Sequence, residues 1–152
     1  MSQDLQWLLI RKSNSFLVKR TAEGPIFSKE PGNLRGLHSF KHSGLVNNKT
    51  VFVAPTTETS GLTLTTRVKG ANPRHVKKAL VSRQIKGNSS ARRVAKIIAV
   101  ETAARGYRPD LRTAALARAS AITAAQKEAT NPTAVREKKV RGNKAAPVEA
   151  SA

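Results

Sequence analysis

The 61 residues from Arg67 to Lys127 hold fifteen Lys and Arg against two acids. A stretch this basic cannot pack evenly, because each cation must reach water or an anion. Its apolar residues must therefore gather on a few narrow faces. Residues 1–66 carry a net +4 and residues 128–152 a net +2, of +19 for the 152-residue chain. The surplus sits in the middle and not in a terminal arm, so the basic surface is expected on folded elements with fixed geometry. A polyanionic partner is the simplest reason to carry such a surface.

Composition narrows the choice further. Hydrophobic residues make up 39% and aromatics 4%, enough for one modest core. With no Cys there is no disulfide framework, thiolate zinc site or cysteine nucleophile. Near the start, the run Leu8–Ile10 is too short for a signal-peptide core or a membrane span. His38 and His42 are four apart, but Ser39, Ser43 and Gly44 argue against a helix there, so no metal site is expected. The nine carboxylates are scattered without a close pair, and the glycines form no phosphate-binding loop. The chain is read as a non-enzyme without a cofactor.

The expected class is α+β: a strand-rich N-terminal half, two or three helices, then an extended C-terminal tail. Strands are expected at 5–11, 15–20 and 26–28, the first two as a chain reversal around Arg11-Lys12-Ser13-Asn14. Residues 29–48 read as an ordered loop that Leu34, Leu37, Phe40 and Leu45 pin to the core. The clearest hairpin joins Lys49–Ala54 to Leu62–Val68 across the polar Pro55–Gly61.

After Gly70 the period reads as helical. Asn72 and Pro73 open a first helix with Val76, Leu80 and Ile85 as its stripe, ending at Gly87-Asn88. Ser89 or Ser90 caps a second, with Val94, Ile97 and Ile98 opposite Arg92, Arg93 and Lys96. Gly106 stops it, and Pro109-Asp110 opens a third. Residues 1–127 are thus read as one domain, strands mainly over 5–68 and helices over 72–127. The tail, 128–152, cannot bury enough apolar area to offset ordering entropy. Its Lys138-Lys139-Val140-Arg141 run is a weak pattern for nuclear import, the alternative being a solvated charge run.

Short basic clusters fall on different elements: Lys19-Arg20, Lys77-Lys78, Arg92-Arg93, and Arg105, Arg108 and Arg112. That distribution suits a folded RNA better than one duplex groove. The residues expected to contact RNA are Lys19, Arg20, Arg35, Lys41, Arg92, Arg93, Arg108, Arg112 and Arg118, with Tyr107 on a sugar or base. Trp7, Phe16 and Leu111 are expected in the core. A free chromatin- or RNA-associated regulator is the alternative reading.

Several motifs occur in one order. They are Trp7 with Ser15–Arg20, Lys29–Leu34, Ser39–Leu45 and Lys49-Thr50-Val51. Tyr107–Arg112, Ala114-Ala115 and Arg118–Ile122 follow. Over about 5–127 the chain resembles the eukaryote-specific family of large-subunit ribosomal proteins numbered twenty-eight. The resemblance implies a structural constituent of the sixty-S subunit that binds large-subunit ribosomal RNA beside neighbouring ribosomal proteins. It implies assembly in the nucleolus and work in translation on cytoplasmic ribosomes. Gly32 departs from the family pattern, residues 71–104 match in type only, and the end of the chain is less basic. A nucleolar assembly factor shares the N-terminal pattern but is longer, with an acidic extension.

Overall fold

The computed structural model of the chain describes residues 2–18, 23–56, 60–72 and 75–132. It begins with a helix where a strand was expected at 5–11. Ser2 stands in extended backbone and its Oγ accepts from the Leu5 amide at 3.2 Å, capping α1, Gln3–Ile10. Leu5, Leu8 and Leu9 repeat at three and four residues, a helical period that the short apolar run also permits. The cap settles the choice. Trp7 is half-buried against His38, with ring centroids 4.8 Å apart, and edge-on to Phe40 at 6.0 Å. It is not part of the central core, and Phe16 is exposed.

The reversal expected between 5–11 and 15–20 is therefore absent; instead strand β1, Leu17–Val18, pairs antiparallel with β2, Phe27–Ser28, the short third strand expected at 26–28. The next segment is held less by its leucines than by buried polar groups. Leu34 is buried but Leu45 is exposed. Glu30, 4% exposed, accepts from Asn33 Nδ2 at 3.1 Å, Ser43 Oγ at 3.2 Å and the Gly44 amide at 3.3 Å. Asn47 Nδ2 donates to the carbonyls of Phe40 and Ser43, both at 2.7 Å. A buried carboxylate is tolerated only when its oxygens are satisfied in this way. The two ends of the loop touch so closely that a Cβ on Gly44 would lie 2.2 Å from the Pro31 carbonyl oxygen. Only glycine fits there.

The expected hairpin is present as β3, Val51–Pro55, and β4, Gly61–Arg67, in the register Val53↔Leu64. The helix expected from Asn72 to the stop at Gly87-Asn88 is not. Residues 80–86 form β5, Leu80–Lys86, which pairs antiparallel with all of β4 and gives the order β3-β4-β5. Cross-strand partners share a face, so Arg83, opposite Leu64, points the same way as Ile85, opposite Leu62. An Arg on that face, its side chain still 54% exposed, breaks the alternation that would have marked a strand. Its charge is met by Glu101 at 2.8 Å.

The helical half follows its local signals closely. Ser90 Oγ accepts from the Arg93 amide and caps α2, Ala91–Ala99. The helix continues as a wider π turn over Val100–Ala104 and stops at Gly106, whose φ is +58°. Pro109 opens a short 3-10 turn that runs into α3, Arg112–Thr130. One face of the sheet, with Val51, Val53, Leu62, Leu64 and Ile85, packs with Val94 and Ile98 of α2. Leu111 and, on α3, Ala115 and Ala119 complete it with Leu34. Alanines at the contact let α3 lie close to β3. The α+β class expected from the sequence is the class observed. Residues 133–152, with Lys138–Arg141, lie outside the described residues.

Candidate nucleic-acid interface

The loop 33–49 and the chain from Tyr107 to Arg118 face each other across a basic cleft. It comprises two open cavities. One, about 340 Å³, is bordered by Arg35, Lys41, His42, Thr113, Arg118 and Asp110 among others. The second, about 510 Å³, is bordered by Gln3, Phe40, Lys41, Asn48, Lys49, Arg108 and Asp110 among others. Lys41 and Asp110 border both.

Arg108 builds the join. Its Nε and Nη2 donate to the two carboxylate oxygens of Asp110, each at 2.8 Å, in a bidentate pair. Nη1 donates to the Lys49 carbonyl and Nη2 to the Lys41 carbonyl, both at 2.9 Å. One guanidinium therefore ties the start of the last helical segment to two points of the loop. The hydrogen bond from Arg108 holds the Asp110 carboxyl below its ordinary value, against a smaller opposing effect of burial.

Arg118 plays a similar part further along α3. Its Nε donates to the Val53 carbonyl at 2.8 Å and its Nη1 to the Leu34 carbonyl at 3.2 Å. Its guanidinium carbon lies 5.4 Å from the centre of the Phe52 ring, within cation–π range. Among the described residues Nη2 forms no hydrogen bond, so the group can still offer donors to an anion.

Tyr107 turns inward. Its hydroxyl accepts from the Arg67 amide at 3.1 Å and donates to the Arg67 carbonyl, with the Thr50 carbonyl 3.4 Å away. Burial pushes its pKa up. The side chain thereby joins β4 to the chain just before β3.

Arg35 and Lys41 are exposed, and among the described residues neither forms an ion pair. Their effect is felt by His42, whose pKa is lowered first by burial, then by the charges of Lys41, Arg35 and Arg108. Burial contributes most, and the cations beside the imidazole add to it, so an anion seated among them would relieve part of the shift.

Of the residues expected to contact RNA, the structure thus gathers Arg35, Lys41, Arg108 and Arg118 at the cleft. Arg92 and Arg93 are exposed on α2, and Arg112 is exposed at the start of α3; none of the three borders either cavity of the cleft. Lys19 and Arg20 lie outside the described residues. Sequence reasoning did not single out Lys49, Asn48, Gln3 or Thr113. Lys49 follows two asparagines in a polar stretch, a weak signal; nothing local distinguishes Gln3 or Thr113. His38 goes elsewhere than His42, with Nε2 2.8 Å from the Arg11 carbonyl oxygen.

The chain has relatives among known proteins. A model of the ribosomal L28e protein family matches residues 5–125. The large ribosomal subunit protein eL28 of Schizosaccharomyces pombe is 39% identical over 130 residues, 84% of this chain and 94% of that protein. The protein of the same name from Dictyostelium discoideum is 36% identical over 139 residues, 91% of this chain and 99% of its own. The matched span includes the loop with Arg35 and Lys41, the sheet, and the helices that frame the cleft. The chain belongs to the ribosomal L28e protein family.

Proposed function

We propose that this chain is a structural, non-catalytic constituent of the large ribosomal subunit that binds and bridges large-subunit ribosomal RNA. Residues 1–127 act as the folded unit, and the protein supports translation in cytoplasmic ribosomes after assembly in the nucleolus. Neighbouring ribosomal proteins complete its surroundings. Family membership supports the subunit; the cleft supports the RNA contact.

The observation that carries the RNA reading is the pair of unneutralised cations, Arg35 and Lys41, on a loop whose shape is held by Glu30 and Arg108. Their donors are presented to an anion without the ordering cost of a floppy arm. Arg118 adds free Nη2 donors. Arg92, Arg93 and Arg112 present further cations outside the cleft, which is what bridging two RNA segments requires. Lys19 and Arg20 extend the same proposal. Arg108 and Tyr107 contribute chiefly by fixing the loop and sheet that hold the phosphate-binding groups, each with its polar atoms already engaged inside the protein.

The test is sedimentation of particles carrying the wild-type chain or the double variant Arg35→Gln/Lys41→Gln. Wild type is expected to stay with the large subunit through a high-salt wash. The variant should dissociate at lower salt, with the slope of log affinity against log salt for isolated RNA reduced by about 2. Wild-type protein found in the light fractions, or an unchanged salt slope, would overturn the reading.

A further inference from the structure

Helix α1 is the exposed element least suited to RNA. Its eight residues contain Asp4 and no Lys or Arg. Leu5, Leu8 and Leu9 are 49%, 58% and 66% exposed, and no residue of the helix is buried. At spacings of three and four they form one apolar stripe. The helix is held to the rest of the chain by Trp7 on His38 and Phe40, and by the His38 contact to the Arg11 carbonyl. Eight residues are too few for a helix to be stable in water on its own, and the packing of one tryptophan leaves its leucines in solvent.

We infer that the Leu5–Leu8–Leu9 stripe of α1 docks into an apolar groove of another protein constituent of the same particle. This rests on the ribosomal reading above. Leucine offers phosphate oxygens no donor, and Asp4 repels them; the nearest cations in sequence, Arg11 and Lys12, follow the helix, and it is Gln3, not a leucine of the stripe, that borders the basic cleft. A nucleic-acid occupant therefore gains nothing from this face. A second copy of the chain is disfavoured by the +19 charge on each. The patch is also small: three part-exposed leucines present on the order of 300 Å². A stable pair needs roughly 800 Å² from each partner. A helix in a groove, assisted by RNA contacts elsewhere on the molecule, suits a stripe of this size and spacing.

The experiment places a photo-crosslinking benzoylphenylalanine at Leu8 in the full chain, assembled into particles in cells. Particles are purified by sedimentation before irradiation. Leu8 is exposed, so the larger ring is tolerated. Co-sedimentation tests the ribosomal reading by itself; the identity of the adduct tests this one. An adduct with another protein constituent of the particle is the expected result. An adduct with ribosomal RNA, an adduct with a second copy, or no adduct in particles that retain the chain would each overturn it. A second variant, Leu5→Gln/Leu9→Gln, should lower retention in the particle by about tenfold, the factor expected from losing the burial of one leucine. Because apolar contacts are not weakened by salt, the loss should appear at low and high salt alike. Thermal unfolding of the free chain should be unchanged by that variant. A loss confined to high salt, full retention, or a lower melting temperature of the free chain would count against docking.

Discussion

The arginines of the cleft and those of α2 bear the same charge and do opposite work. Arg108 spends most of its donors on main-chain carbonyls and on Asp110, and Arg118 its Nε and Nη1 on two carbonyls, joining segments 59 to 84 residues apart. Arg92 and Arg93 stand in solvent on a helix whose other face carries Val94 and Ile98. A guanidinium that satisfies carbonyls distant in sequence is part of the scaffold; one in water is free to meet a phosphate. Net charge counts both alike, so only the first kind should matter to the stability of the free protein.

The sharpest way to break that contrast is Arg118→Ala. It leaves the Val53 and Leu34 carbonyls without their donor, and a cost of about 3 kcal/mol is expected for two charge-assisted hydrogen bonds. Urea unfolding should show a lower midpoint with an unchanged slope. Arg118→Lys should recover little, since one ammonium cannot fork to both carbonyls. A midpoint within error of wild type would place Arg118 with the α2 arginines.

Next in size is pH. The His42 pKa is lowered in the fold from 6.5, so the unfolded chain takes up a proton there that the folded chain refuses. Stability should therefore fall as pH drops below 6.5, until the folded imidazole also titrates. His42→Asn should remove that loss. The Asp110 pKa is lowered from 3.8, so its contribution is complete above that value and disappears as pH falls through the folded one. Asp110 is more than a third exposed, and solvent screening keeps its share to less than about 1 kcal/mol. Unfolding curves from pH 7 to 2 for wild type and His42→Asn check both windows. A phosphate seated at Lys41 would raise the His42 pKa, which an NMR titration with RNA present reads directly.

The smallest effect on stability belongs to Arg92→Ala/Arg93→Ala, expected within about 0.5 kcal/mol of wild type. The same variant should lower the salt slope of RNA binding by about 2 if both side chains meet phosphates. Unchanged stability with an unchanged slope would make α2 a merely solvated face.

Much of the helical half is legible because its signals are local. Ser90 as a cap, Gly106 as a stop, Pro109 as an opening residue, and Val94, Ile98 and Leu111 as core each follow from neighbours within a turn or two. The β3–β4 hairpin is legible for the same reason, having alternation on both sides of a polar link. The misreadings occur where local signals are ambiguous. Leu5–Ile10 is short enough to serve either period, and a Ser outside it decided. In β5 the charged Arg83, on the same face as Ile85, hides the alternation, and the strand exists because β4 offers it an edge. Of the cleft, the basic character was visible in Arg35, Lys41, Arg108 and Arg118. The division of labour among them was not, because their partners lie dozens of residues away.

By itself the sequence determined the class of the fold, the placement of most helix ends, a core poor in aromatics, and an excess of cations outside the tail. These depend on backbone propensity, short-range periodicity and composition, all local quantities. Only the tertiary structure decided which cations are scaffold and which remain available, that Glu30 is the buried acceptor around which the loop closes, and that the leucines of α1 face outward. Each of these depends on which distant groups meet, and therefore on how well buried charges and carbonyls are satisfied once the chain has packed.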